Sequence, residues 1–225
     1  MSIRPRFLNL AALAVAAVLA GCATPQHSNI DYSALRAAKP ATLLVLPPLN
    51  DSPDVKASAT VWAHATRPLA EAGYYVLPVT LVNETFRQNG VTTAHDAHHI
   101  PYAKLREYFG ADAGVYITVQ RYGTSYAGIS SQTRVDVKAE VVDLRTGQSL
   151  WKGSAFSTSG DQSSGGSVAA ILVSALVNQV VNTATDAAAR HAVIANAQLF
   201  SPARRDGLLP GPRSPLYGQD LQPKR

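Results

Sequence analysis

Hydrophobic positions in the first half of the chain follow two patterns that predict alternating strands and helices. The apolar run Ala41–Leu46 is short and ends at two prolines, as expected for a strand buried on both faces of a sheet. The next segment predicts a helix from Ser52 to Ala72, with Ser52 as the N-cap and Gly73 as a left-handed stop. Similar patterns predict a strand at Tyr74–Val79, helices at Leu81–Gln88 and Pro101–Phe109, and a strand at Gly114–Gln120. This order is typical of an α/β sheet with crossover helices.

The second half of the chain changes to strict alternation, which predicts antiparallel strands with one exposed face. Thr133–Val141 alternates valine and alanine with charged residues, and Asp143–Gly147 supplies a turn before a returning strand at Gln148–Phe156. A final helix is predicted from Val168 to Ile194. The predicted fold is a single α/β domain with a three-layer-like mixed β-sheet, crossover helices, a C-terminal antiparallel hairpin and a long C-terminal helix.

The predicted C-terminal helix carries an apolar stripe that is widened by Val173, Val177 and Val181. No charged residue lies between Asp161 and Asp186, so the helix is too apolar to be half-exposed. Two interpretations remain open: the helix is fully buried in the core, or these valines contribute to a homodimer interface. Light scattering separates them, because a stable monomer at high concentration contradicts the dimer.

The N-terminus has the pattern of an export signal. Arg4 and Arg6 precede an apolar run, Leu10–Leu19, which is too short to span a bilayer. The run ends in Leu19–Cys22, which resembles the bacterial lipoprotein signal, in which the cysteine after a small-residue cleavage site receives lipid. The alternative is an ordinary secretory signal with a chance cysteine. The resemblance implies a membrane anchor of several acyl chains, palmitate among them, at Cys22. Since Ala23 follows, it also implies the outer membrane, with the domain facing the periplasm.

Composition and charge narrow the class of protein. The chain has 225 residues, 20 basic and 15 acidic side chains, and a net charge of +5. The excess lies at the two ends, because residues 22–200 hold equal numbers of both signs, which argues against nucleic-acid binding. The proline-rich basic tail is predicted to be disordered, with contact to anionic lipid or peptidoglycan as the alternative. The predicted organisation is a signal peptide (1–21), a lipidated tether (22–40), one α/β domain (41–200) and a disordered tail (201–225).

Four sequence blocks together carry a family resemblance. They are Pro47–Lys56, Pro68–Pro78, Glu84–Gly90 and Val142–Gly147. In this order they resemble a family of outer-membrane lipoproteins of unknown function from Gram-negative bacteria, which includes a genome-derived meningococcal antigen. The resemblance implies a fold similar to the N-terminal domain of TolB and to auxiliary lipoproteins of ABC-type transport systems. It also implies a homodimer. No catalytic residue is assigned in that family, so the resemblance implies none in this chain.

Two short segments imitate known sites but lack essential parts. Gly160–Ser167 lies between a predicted strand and a helix like a phosphate-binding loop, yet Gly166 stands where the lysine is needed. His95–His99 offers imidazoles and a carboxylate at a spacing that can bind zinc or copper. No cysteine or second cluster completes that site, so a solvated loop is favoured over a metal site. No cofactor and no metal are therefore predicted.

The loop Pro47–Lys56 is the remaining candidate site. It follows the first predicted strand at its carboxyl end, where open α/β sheets bind ligands. The candidate ligand or partner residues are Asn50, Asp51, Asp54 and Lys56, and the alternative is that they only shape the turn and cap the helix. Since no complete catalytic motif is present, the sequence predicts a non-catalytic accessory or assembly lipoprotein of an envelope transport or secretion complex. Its partners would be other envelope lipoproteins or transport components. The alternative is a metal-binding, ligand-binding or enzymatic domain that uses this loop or the histidines.

Overall fold

A computed structural model describes residues 30–127, 130–159, 187–204 and 206–219. The described strands are β1 (Thr42–Val45), β2 (Leu49–Asn50), β3 (Tyr75–Val76), β4 (Ala113–Ala127), β5 (Ser130–Asp143) and β6 (Ser149–Thr158). The described helices are α1 (Ser33–Ala38), α2 (Ala57–Glu71), α3 (Val79–Gln88), α4 (Ala94–His98), α5 (Tyr102–Phe109) and α6 (Ala187–Phe200). The described residues from Asp31 to Gln219 belong to one compact unit.

The strands form one mixed sheet in the order β3-β1-β4-β5-β6, with β2 also paired to β4. β1 is parallel to both β3 and β4, and β2 is parallel to β4. β4, β5 and β6 form an antiparallel meander. The parallel half comes from the segments where helices connect the strands, and the antiparallel half begins where short turns replace them. The predicted α/β fold with a mixed sheet, a C-terminal hairpin and a C-terminal helix is confirmed.

Helices cover both faces of the sheet. On one face, β5 turns Val135, Val137, Ala139 and Val141 inward, all of them buried. α6 packs there against β5, β6 and α2, and the ring of Phe200 lies 6.1 Å from that of Trp151. On the other face, Leu44 of β1 and Leu46, which follows the strand, join a cluster with residues of α3, α4 and α5. The alternation in β5 therefore predicted its buried face correctly.

The start of α2 differs from the prediction. Ser52 does not cap the helix, because its hydroxyl donates to Asn50 Oδ1 at 2.6 Å. The helix begins at Ala57 with Lys56 at the N-cap position and without a side-chain cap. The local rule that places serine before proline at a helix start was overridden by a competing turn, which uses the same hydroxyl.

The segment that follows Phe200 is not the disordered tail that the sequence predicts. Leu208 is fully buried, and Leu209 is 9% exposed. The backbone N–H groups of Gly211 and Arg213 donate to the carbonyls of Ala72 and Gly73, at 2.7 and 2.9 Å. Prolines restrict this segment before it folds, so its ordering costs less entropy than composition suggests. The prediction of a disordered tail is wrong for the described residues 206–219.

The domain also begins earlier than predicted. Tyr32 and Leu35 are buried, and Ser33–Ala38 forms α1, which packs against β6. The hydroxyl of Tyr32 donates to the carbonyl of Gly207 at 2.6 Å, so α1 and the C-terminal segment hold each other. The part of the predicted tether from Asp31 to Pro40 therefore belongs to the folded domain.

Two further predictions concern residues that the structure does not describe. Most of the predicted helix at Val168–Ile194, including Val173, Val177 and Val181, lies outside the described residues. So does the phosphate-loop imitation at Gly160–Ser167. Among the described residues, none of the helices combines the length and apolarity that crossing a membrane requires.

Candidate functional site

The polar face of the antiparallel meander carries a groove that strand register builds. Tyr116 of β4 lies opposite Glu140 of β5, and Glu140 lies opposite Lys152 of β6. One step along the same face, Thr118 lies opposite Lys138. Cross-strand partners on one face sit about 5 Å apart, so side chains from three strands meet in one place.

The groove is closed on one side by an aromatic wall. The ring of His98 meets that of Tyr116 edge to face at 5.0 Å, and the ring of Tyr102 meets it at 6.2 Å. Gly147 allows Tyr102 to approach the hairpin turn, because a Cβ there would lie 2.9 Å from the tyrosine ring. The resulting cavity has a volume of about 470 Å³. It is large enough for a side chain or a short segment of a partner.

The hydroxyl of Tyr116 is the least satisfied polar group in this groove. It is buried and makes no hydrogen bond to any described residue. Burial first, and then the neighbouring Tyr102 and Glu140, raise the pKa of Tyr116. The phenol therefore stays protonated at neutral pH.

The charges in the groove favour recognition of a polar partner. The Lys152 ammonium pairs with Glu140 Oε1 at 3.2 Å, and the Lys138 side chain is exposed beside them. Groups of this kind bind and orient carboxylates, amides or backbone carbonyls. The described lining contains neither a serine nor a cysteine.

The predicted loop site is used mostly to shape its own turn. Asn50 Oδ1 accepts from the backbone N–H of Ser52 at 3.0 Å, and Asn50 Nδ2 donates to the carbonyl of Asp54 at 2.8 Å. Asp54 Oδ1 accepts from the backbone N–H of Lys56 at 2.8 Å. Asp51 and Lys56 have exposed side chains. The contacts that the structure gives Asn50 and Asp54 are therefore those of a folded turn, and the side chains of Asp51 and Lys56 lie on its surface.

The histidine cluster does not form a common ligand set. Thr93 caps α4 by accepting from the N–H of Asp96, so the predicted loop is a short helix. This helix places the rings of His95 and His99 4.3 Å apart. His95 and His99 are exposed, whereas the Nε2–H of His98 points inward and donates to the carbonyl of Pro47 at 2.9 Å. Burial lowers the pKa of His98, which keeps the ring neutral. Within the part of the chain that the structure describes, no group of three or more metal-ligating side chains occurs.

A serine–histidine pair that sequence reasoning missed joins β6 to α6. Ser157 Oγ lies 2.8 Å from His191 Nδ1. Ser157 is 6% exposed, so its hydroxyl cannot meet a substrate in this conformation. Burial, with Arg190 nearby, lowers the pKa of His191. Among the described residues, no carboxylate forms a hydrogen bond with this histidine. We interpret the pair as a structural hydrogen bond between β6 and α6.

The groove residues were also missed, although one signal was available. The alternation of β5 placed Lys138 and Glu140 on its exposed face. What the sequence did not contain was the register that sets Tyr116 and Lys152 beside them, or the packing of α5 over the end of the meander.

Comparisons with known proteins find similar sequences and similar structures. The profile of the family described as "Putative lipoprotein GNA1162-like" matches residues 30–213. A protein of Neisseria meningitidis serogroup B named "Putative lipoprotein NMB1124/NMB1162" is 45% identical over 210 residues, 93% of this chain and 96% of its own length. The crystal structure of lipoprotein GNA1162 from Neisseria meningitidis has a TM-score of 0.53 and 50% identity, and the match covers 64% of this chain and 100% of that one. A PelC dodecamer from Paraburkholderia phytofirmans reaches a TM-score of 0.45 at 12% identity, over 73% of this chain and 89% of its own.

Proposed function

We propose, from the premise that this chain belongs to the GNA1162-like lipoprotein family, that it is a lipid-anchored, non-catalytic protein of the outer membrane. In this proposal it faces the periplasm and helps to assemble an envelope transport or secretion complex. The observation that carries the proposal is the order of two features. A lipoprotein-type signal ends at Cys22, and the family match begins at residue 30. A short tether of this kind suits a domain that works at a membrane surface.

Lipidation is tested by replacing the acceptor residue. Cys22→Ser removes the thiol that acylation requires, so the variant should lose fatty-acid labelling completely. After a high-salt wash, the variant should leave the outer-membrane fraction, because it carries no acyl chains that insert into the bilayer. Ser28→Ala in the same segment is the matched control and should remain labelled. Unchanged labelling of Cys22→Ser would refute the anchor.

The groove around Tyr116 is the surface that we assign to a partner. Its exposed lysine, its Glu140–Lys152 ion pair and its aromatic wall suit a polar segment of another envelope protein. Lys138→Glu reverses a charge inside the groove, whereas Lys104→Glu makes the same change at an exposed position outside its lining. Crosslinking in native membranes should recover transport or secretion components with wild type and with Lys104→Glu. Recovery should fall several-fold with Lys138→Glu.

Equal recovery with both variants would remove the groove from the proposal. Melting curves of both proteins provide the check on folding, since an exposed charge reversal normally changes stability by less than about 0.5 kcal/mol. A homodimer remains part of the proposal through Val173, Val177 and Val181. Its support is the apolar pattern of that segment, and light scattering of the non-lipidated chain measures it directly.

A further inference from the structure

The short helix α4 places two exposed imidazoles side by side. His95 lies in its first turn, and His99 is its C-cap, with φ −91° and ψ −4°, which continue the helical path. Both side chains are exposed, and their ring centroids lie 4.3 Å apart. Residues four positions apart on a helix share one face. A loop would not align these two rings, whereas the observed helical turn does.

The helix that carries the two rings is anchored on its inner face. Ala97 is fully buried in the cluster beneath α4. The Nε2–H of His98 donates to the carbonyl of Pro47 at 2.9 Å, and Thr93 Oγ1 accepts from the backbone N–H of Asp96 at 3.1 Å. These contacts fix the backbone between the two exposed rings, so their spacing is set before any ligand arrives.

A hydrogen bond determines which nitrogen of the His99 ring can bind a metal ion. Its Nδ1 lies 2.7 Å from the carbonyl oxygen of His95. A carbonyl can only accept, so Nδ1 carries the proton, and in the neutral ring Nε2 keeps its lone pair. Histidines that bind metals usually donate their other N–H to a carbonyl or a carboxylate in this way. Among the described residues, the ring nitrogens of His95 make no hydrogen bond, so each ring offers a nitrogen to a ligand.

The chemistry of the pair selects the class of ion. Imidazole suits Cu²⁺, Ni²⁺ and Zn²⁺, of which Cu²⁺ binds most strongly, whereas Mg²⁺ and Ca²⁺ require oxygen ligands. Two nitrogens bound to one ion at about 2 Å each lie at most about 4 Å apart, which is of the same order as the separation of these rings. The carboxylate of Asp96 accepts from Thr93 Oγ1 at 2.7 Å, so it supports the helix cap and we do not count it as a ligand.

We propose that His95 and His99 form a surface site for one divalent transition-metal ion, with Cu²⁺ bound most tightly. The two imidazoles chelate the ion, as histidines at positions i and i+4 of one helical face do in zinc enzymes. Water fills the remaining coordination positions, because the described residues contain no group of three metal-ligating side chains. The inference is independent of the proposed function, since neither Cys22 nor the groove enters it.

The test is calorimetric titration of Cu²⁺ into a non-lipidated chain, residues 23–225, which contains the whole compact unit and no cysteine. Wild type should have one high-affinity Cu²⁺ site per chain, bind Zn²⁺ more weakly, and show no competition from excess Mg²⁺. His95→Asn and His99→Asn should each weaken Cu²⁺ binding about tenfold or more, since even the loss of an outer hydrogen-bond partner of a metal ligand costs about that much. His27→Asn is the matched control, because it removes an imidazole outside the pair and should leave the affinity unchanged.

The electron paramagnetic resonance spectrum of bound Cu²⁺ supplies a readout that a folding defect would not imitate. It should show two coordinated imidazoles in wild type and one in each single variant, while melting curves check that all variants fold. Unchanged affinity in both variants of the pair, or an equal loss in His27→Asn, would overturn the site. One ion per two chains would mean that histidines of separate molecules share it, which would overturn the chelate. None of these outcomes alters the Cys22 labelling result, so the two proposals fail separately.

Discussion

Ending the chain at Ser201 is expected to unfold the domain, or to lower its free energy of unfolding by more than about 5 kcal/mol. The truncation removes Leu208 and Leu209, whose burial contributes about 2 kcal/mol each. It also removes the carbonyl acceptors of the buried Tyr32 and Tyr74 hydroxyls, at about 1 kcal/mol each. The total is comparable with the whole stability of a typical domain.

The measurement is thermal and urea denaturation, followed by circular dichroism. A chain that ends at Gln219 keeps all of these contacts and is the matched control, so its melting temperature should equal that of wild type. If the chain ending at Ser201 also melts at the wild-type temperature, the C-terminal segment does not belong to the core.

The C-terminal segment shows where sequence reasoning stopped. Its proline content and charge are local properties, and within the described residues 206–219 the segment folds without helix or strand. Its burial depends on contacts across the chain, such as that between Tyr32 and Gly207, which are 175 residues apart. Three side chains donate to backbone carbonyls of this segment: Tyr32, Tyr74 and Trp151. No sequence pattern around these donors predicts which carbonyl accepts the hydrogen bond.

The sheet was more predictable than the site. The alternation in β5 and the turn at Asp143–Gly147 predict the antiparallel hairpin, because a period of two determines which side chains share a face. The groove needs a further fact, the register that pairs Tyr116 with Glu140 and Glu140 with Lys152. An irregularity between Val119 and Arg121 in β4 shifts that register, and no residue type in this stretch predicts the shift. Periodicity therefore predicts which side chains share one face of a strand, whereas the groove also depends on which residues of neighbouring strands lie opposite each other.

Gly73→Ala is expected to lower the free energy of unfolding by more than about 3 kcal/mol. Gly73 has φ +96°, a backbone conformation that costs an L-residue about 1–2 kcal/mol. An added Cβ would also lie 2.4 Å from the backbone nitrogen of Ser214, so the C-terminal segment would have to move. Gly90→Ala is the matched control: φ is +78°, and nothing lies within 4 Å of its Cβ position. It should cost only the backbone strain, about 1 kcal/mol.

The measurement is urea denaturation of both variants, followed by circular dichroism. If Gly73→Ala and Gly90→Ala lose the same free energy of unfolding, the close approach of Gly73 to Ser214 adds nothing to the backbone strain, and the C-terminal segment does not pack tightly against this turn.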